Sequence, residues 1–167
     1  FKAVTGGIRA EPDYDSTKLV IFWGTNPVAS ERFGAYTAYN GMRQIVSRLK
    51  ERGTRIISID PFRTKTVQQG DDWVRINPGS DLALALAMIH VIINEGLYDK
   101  AFVEEYTSGF EALAAHVQAY SPLWAEPLTG LSEKTIIDLT RTYATTKPAA
   151  IYEGNGLDMY TNGVDAV

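Results

Sequence analysis

Four short apolar stretches rich in β-branched and aromatic residues stand out along the chain, each stopped by glycine or proline. Leu19-Val-Ile-Phe-Trp23 runs into Gly24-Thr25-Asn26-Pro27, and Arg55-Ile-Ile-Ser-Ile-Asp60 into Pro61. The alternating Trp73-Val-Arg-Ile-Asn77 ends at Pro78-Gly79, and Ala149-Ala-Ile-Tyr152 leads into Gly154-Asn155-Gly156. Such runs predict strands, and the unbroken apolar character of the first predicts burial on both faces, as in a parallel sheet. Between them the spacing becomes helical. Met42, Ile45, Val46 and Leu49 fall at i, i+3, i+4 and i+7, an apolar stripe on a helix of about 20 residues ending near Gly53. Tyr36 and Tyr39, early in that helix, read as packing residues. The stretch 82–94 is apolar almost all round, so that helix should be buried on several sides and stop at Gly96. Shorter helices are expected over 102–106 and 110–117, and a last one over 132–143 with Ile136, Leu139, Thr140 and Tyr143 on one face. This alternation predicts an α/β fold: an open, mostly parallel sheet flanked by helices, a Rossmann-like three-layer domain covering 1–167.

Composition narrows the class. With 45% hydrophobic residues, 14 Gly and 7 Pro in 167 residues, the chain is neither disordered nor collagen-like. Its 16 basic and 20 acidic side chains give a net charge of −4 without a basic cluster, which argues against nucleic acid as a partner. Cysteine is absent, so the chain holds no disulfide, thiolate metal site or cysteine nucleophile. The longest apolar run, 82–93, carries His90 and falls short of the roughly 20 residues a membrane helix needs.

Ligands of open α/β sheets bind outside the carboxyl ends of the strands, and here those ends carry small, polar and acidic turn residues. Gly24-Thr25-Asn26-Pro27 could bring backbone close to a phosphate or be a tight turn with an Asn–Pro breaker. Asp60 could accept bonds from ribose hydroxyls or be a solvated turn residue before Pro61. Asp81 could take N1–H and N2–H of guanine, leaving the helix cap to Ser80, or be an N-cap itself. No G-x-G-x-x-G fingerprint or P-loop occurs, and no nucleophile–base arrangement or paired carboxylate is recognisable. His90 reads as a core histidine, His116 lacks a metal-ligating neighbour, and Asp71-Asp72 reads as an acidic surface turn before a strand rather than a metal site.

The motifs as a set resemble a known family. Leu19-Val-Ile-Phe-Trp-Gly-Thr-Asn-Pro27, Ile59-Asp-Pro-Phe-Arg-Thr64, Pro78-Gly-Ser-Asp-Leu-Ala-Leu84 and Asn94-Glu-Gly-Leu-Tyr-Asp-Lys100 are similar, in order and spacing, to consecutive motifs of the molybdopterin oxidoreductases of the dimethyl sulfoxide reductase type. Thr145-Thr-Lys-Pro-Ala149, Gly154-Asn-Gly-Leu157 and Asn162-Gly163 continue the series. The resemblance implies the α/β domain that holds the nucleotide half of a molybdopterin guanine dinucleotide (MGD), two of which carry the molybdenum as Mo-bis-MGD. It implies Gly24, Thr25, Asn26 and Pro27 along the pyrophosphate and Asp60 on the ribose or guanine. Pro78, Gly79 and Asp81 would lie at the guanine edge, and Gly154, Asn155 and Gly156 near the pterin or its phosphate. Phe62 departs from the family, which usually has Arg directly after Asp–Pro; this puts the phosphate contact of that position in doubt and leaves Arg63 as the candidate to compensate.

No catalytic residue or metal ligand is expected in this chain, and a [4Fe–4S] centre, if present, would belong to cysteines upstream of Phe1. The further expectations are a piece of a longer anaerobic oxide or sulfur-compound reductase, catalytically silent by itself and partnered by the remaining domains of its parent and an iron–sulfur subunit. By resemblance the parent sits in the cell envelope or periplasm, with the cytoplasm as the alternative. Two other readings stand beside this one. One is a nucleotide-binding domain of a thiamine-diphosphate or nicotinamide enzyme; the other is a non-catalytic scaffold domain.

Overall fold

Residues 12–30 and 41–163 are described by a computed structural model. Tyr36 and Tyr39 lie outside the described residues. The chain divides into two compact units, Phe1–Arg75 with Lys147–Val167, and Ile76–Thr146.

The first unit is built on a four-stranded, all-parallel sheet in the order β3-β2-β1-β4. Its strands are β1 (Leu19–Trp23), β2 (Arg55–Ile59), β3 (Asp72–Val74) and β4 (Ala149–Glu153). β1 is central and its residues are at most 5% exposed, as its unbroken apolar run predicts. One sheet face, with Val20, Phe22 and Ile56, packs on Met42, Ile45, Val46 and Leu49 of α1 (Met42–Glu51), and Tyr14 and Val28 complete the cluster. The apolar stripe is the one the spacing predicts, but the helix is shorter: it starts after Gly41, whose φ of 90° is not helical. α2 (Lys65–Gln69) is a single turn whose cap, Thr64, accepts from Val67 N.

The turn into β3 explains its acidic pair. Asp71 accepts the Ile56 N–H at 2.8 Å, and Asp72 pairs with Arg55 at 2.8 Å, so both carboxylates tie β3 to β2. β3 itself is shorter than its alternating pattern suggests. Ile76 is buried in the second unit, and the Asn77 N–H bonds Thr129 O at 2.8 Å instead of extending the ladder. The Pro78-Gly79 turn therefore does not sit directly on a strand end.

The second unit is helical: α3 (Asp81–Asn94), α4 (Lys100–Tyr106), α5 (Phe110–His116), α6 (Pro122–Thr129) and α7 (Glu133–Thr145). α3 packs against α6 and α7 and buries Ala83, Leu84, Ala87, Met88 and Val91. His90 Nδ1 lies 2.9 Å from Val117 O, a core histidine with a backbone partner. α6 starts on Ser121, which caps Trp124 N, with Pro122 at the first helical position. Its Glu126 accepts Glu133 N at 2.7 Å at the start of α7. Arg141 of α7 grips Glu95 with two bonds of 2.8 Å. That fork holds the Glu95 carboxyl below its usual value and the guanidinium above its own. No helix among the described residues is long and apolar enough to cross a membrane.

Candidate functional site

Because all four strands are parallel, their carboxyl ends share one edge of the first unit. β1 and β4 are neighbours there, with Trp23 opposite Glu153, so the turns that follow them meet. Gly154 N donates to Trp23 O and Gly156 N to Gly24 O, both at 3.0 Å, while Gly24 N donates to Ile59 O of β2 at 2.9 Å. The contact is too close for side chains. A Cβ on Gly156 would stand 2.5 Å from Gly24 O, and one on Gly154 would stand 2.4 Å from Thr25 Cβ. Gly24 takes φ +58° to make the turn, and a Cβ on it would run into Leu157 and Gly156. These glycines let two turns interlock. The side of Gly24 where a Cβ would stand is occupied by the β4 turn, which leads into α8 (Asn155–Asp158).

Asn26 fastens the first turn to the next crossover. Its Oδ1 accepts from Thr66 N at 3.3 Å and Thr66 Oγ1 at 3.0 Å, and Thr66 Oγ1 in turn accepts Val28 N at 3.2 Å. Pro27 and Val28 are buried beneath. At the end of β2, Asp60 is 8% exposed. Its Oδ1 accepts Phe62 N at 2.8 Å across Pro61, its N–H donates to Val74 O at 3.2 Å, and its carbonyl accepts the Trp73 indole N–H at 2.8 Å. Phe62 is 71% exposed and Arg63 is also exposed, so this loop presents an aromatic ring and a guanidinium outward.

The structure thus brings Gly24, Thr25, Asn26, Pro27, Asp60, Arg63, Gly154, Asn155 and Gly156 to one edge of the first unit. Pro78, Gly79 and Asp81 belong to the second unit. There Asp81, 8% exposed, is the first residue of α3 rather than its N-cap. Ser80 holds the cap position, but its hydroxyl donates to Asn77 O at 2.7 Å and accepts no helix N–H. Asn77 organises this turn: its side chain donates to Leu128 O at 3.1 Å, and Gly130, at φ +75°, packs against its amide. Sequence reasoning missed Asn77, Thr66 and Trp73. Their partners lie 13 to 51 residues away, and no local spacing marks them.

The chemistry available at the first unit's edge is that of a polar ligand's holder. Asp60 can accept from hydroxyls or ring N–H groups, and Thr25 and Arg63 can donate to phosphate oxygens. Among the described residues no group of three or more His, Cys, Asp or Glu side chains could hold a metal ion.

The family model for molybdopterin oxidoreductases matches residues 5–167. The chain belongs to that family. Formate dehydrogenase H of Escherichia coli (strain K12) is 39% identical over 155 residues, covering 93% of this chain and 21% of that protein. The dimethyl sulfoxide/trimethylamine N-oxide reductase of Rhodobacter capsulatus is 34% identical over 136 residues, covering 77% of this chain and 16% of that protein. Among solved structures, acetylene hydratase from Pelobacter acetylenicus superposes with a TM-score of 0.80 at 33% identity, over 92% of this chain and 20% of that one. The chain spans about a fifth of the length of the curated relatives it matches. The α/β sheet of this molybdopterin oxidoreductase segment is therefore the fold its motifs imply.

Proposed function

We propose that this chain holds the guanine-dinucleotide half of a molybdopterin cofactor within a longer molybdenum-dependent oxidoreductase. The observation that carries the reading is Asp60. Its nearly buried carboxylate accepts the Phe62 N–H, and its backbone N–H and carbonyl are both bonded, at the carboxyl edge of a parallel sheet in a family defined by a pterin cofactor. The donor set fits the nucleotide half: Asp60 accepts from ribose or guanine, while Thr25 and the exposed Arg63 donate to the phosphates. Gly24, Gly154 and Gly156 contribute indirectly, by locking two turns at that edge. When bound, the molybdenum–dithiolene group supplies the redox chemistry; this segment binds and orients.

For the whole enzyme, the relative named dimethyl sulfoxide/trimethylamine N-oxide reductase supports reduction of an oxide or sulfur compound. The formate dehydrogenase relative favours a second reading, formate oxidation. Dye-coupled assays of the full-length enzyme separate the two: reduced dye against dimethyl sulfoxide and thiosulfate, oxidised dye against formate. Nucleotide binding is tested by titrating GDP, ADP and NAD into the protein. GDP should bind most tightly, and Asp60→Asn should weaken it. Equal binding of all three would remove the guanine assignment, and indifference to Asp60→Asn would remove the role of that residue.

A further inference from the structure

Trp73 is one of the large exposed hydrophobic residues of the first unit, 38% exposed at the edge strand β3, yet its polar atom is fully engaged. Its Nε1–H, the only donor an indole has, bonds the Asp60 carbonyl at 2.8 Å. That carbonyl lies just past the ladder, which ends with Ile59 opposite Val74. The peptide it belongs to is the Asp60–Pro61 bond, whose nitrogen carries no hydrogen and cannot anchor itself. The Asp60 N–H bond to Val74 O restrains the backbone before Cα, and the Phe62 N–H holds Oδ1 of the side chain. The indole restrains the backbone after Cα, fixing the peptide plane from which the carboxylate projects.

We infer that Trp73 is a positioning residue for the nucleotide. Through its bond to the Asp60 carbonyl it sets the direction of the carboxylate, without being needed for the sheet itself. This inference rests on the reading of Asp60 as a nucleotide ligand.

The test is a double-mutant cycle in the full-length, cofactor-loaded enzyme. The rate at which the guanine dinucleotide cofactor is released in mild denaturant is followed chromatographically for the parent protein, Trp73→Phe, Asp60→Asn and the double variant, with thermal unfolding measured alongside. Trp73→Phe should speed release about three- to tenfold, the worth of one intramolecular hydrogen bond. It should add less once Asp60 is Asn, because the charged acceptor it orients is gone. If Asp60→Asn speeds release but Trp73→Phe does not, the positioning role is wrong while the nucleotide reading stands. If the two effects multiply, Trp73 acts independently of Asp60 and the inference is overturned. If Asp60→Asn releases nucleotide at the parent rate, the reading of Asp60 fails and the role of Trp73 fails with it.

Discussion

Gly156 offers a test in which two lines of reasoning predict opposite signs. It lies in α8 without a positive φ, so general propensity says that alanine should stabilise the chain by about 0.5–1 kcal/mol. The packing says otherwise. A Cβ there would stand 2.5 Å from Gly24 O, 2.8 Å from Gly24 Cα and 3.0 Å from Gly24 C. All three are backbone atoms of the neighbouring turn, so no side-chain rotation relieves the contact. The turns must separate by roughly 1 Å to reach ordinary van der Waals distance. Such a shift breaks the 3.0 Å bond from Gly156 N to Gly24 O. Overpacking of this kind costs about 1–3 kcal/mol and the lost bond about 1 more, so Gly156→Ala should destabilise by about 2–4 kcal/mol. Urea denaturation followed by circular dichroism reads the change as a lower midpoint at unchanged slope. A variant as stable as the parent, or more so, would refute the claim that these glycines exist to interlock the β1 and β4 turns.

Other outcomes follow from single contacts. Asp81→Asn should weaken GDP relative to ADP by about 1–3 kcal/mol in a calorimetric titration, since a charge-assisted acceptor is lost. An unchanged ratio would remove Asp81 from the guanine edge. Gly130→Ala combines a φ of +75° with a Cβ 3.1 Å from the Asn77 amide, so it should lower the melting temperature and loosen the turn before Asp81. Amide exchange at Ser80 and Asp81 reports the second effect. Glu95 titrates below its ordinary value of 4.5 because Arg141 grips its charged form. The pair's contribution is therefore complete above that value and lost as pH falls through the lowered one. Urea midpoints of the parent and Arg141→Gln should differ at neutral pH and converge in acid; parallel curves would show that the pair contributes no acid sensitivity.

What the sequence disclosed followed the range of the interactions involved. β1 and the stripe of α1 were legible because burial on both faces, or on one, writes itself into consecutive positions. α6 could have been read from Ser121-Pro122, a cap followed by a first-turn proline, although Pro127 within it disguises the helix. β3 misled because the alternation continues through Arg75 and Ile76, while the buried Ile76 and the Asn77 N–H serve the helical unit. The glycine turns were legible as turns at the strand ends. Their contact with each other was not, because it depends on strands 1 and 4 being neighbours. Asp60 was legible as the acid ending a strand. The indole that holds it was not, because that bond spans a crossover.

The central claim is that the carboxyl edge of the first unit holds a guanine dinucleotide. It is tested most directly by an experimental structure of the full-length enzyme loaded with its cofactor. Density for the nucleotide is expected with a ribose hydroxyl or guanine nitrogen within hydrogen-bond distance of the Asp60 carboxylate, and phosphate oxygens near Thr25 and Arg63. A nucleotide bound elsewhere, with Asp60 contacting only solvent and its own turn, would contradict it.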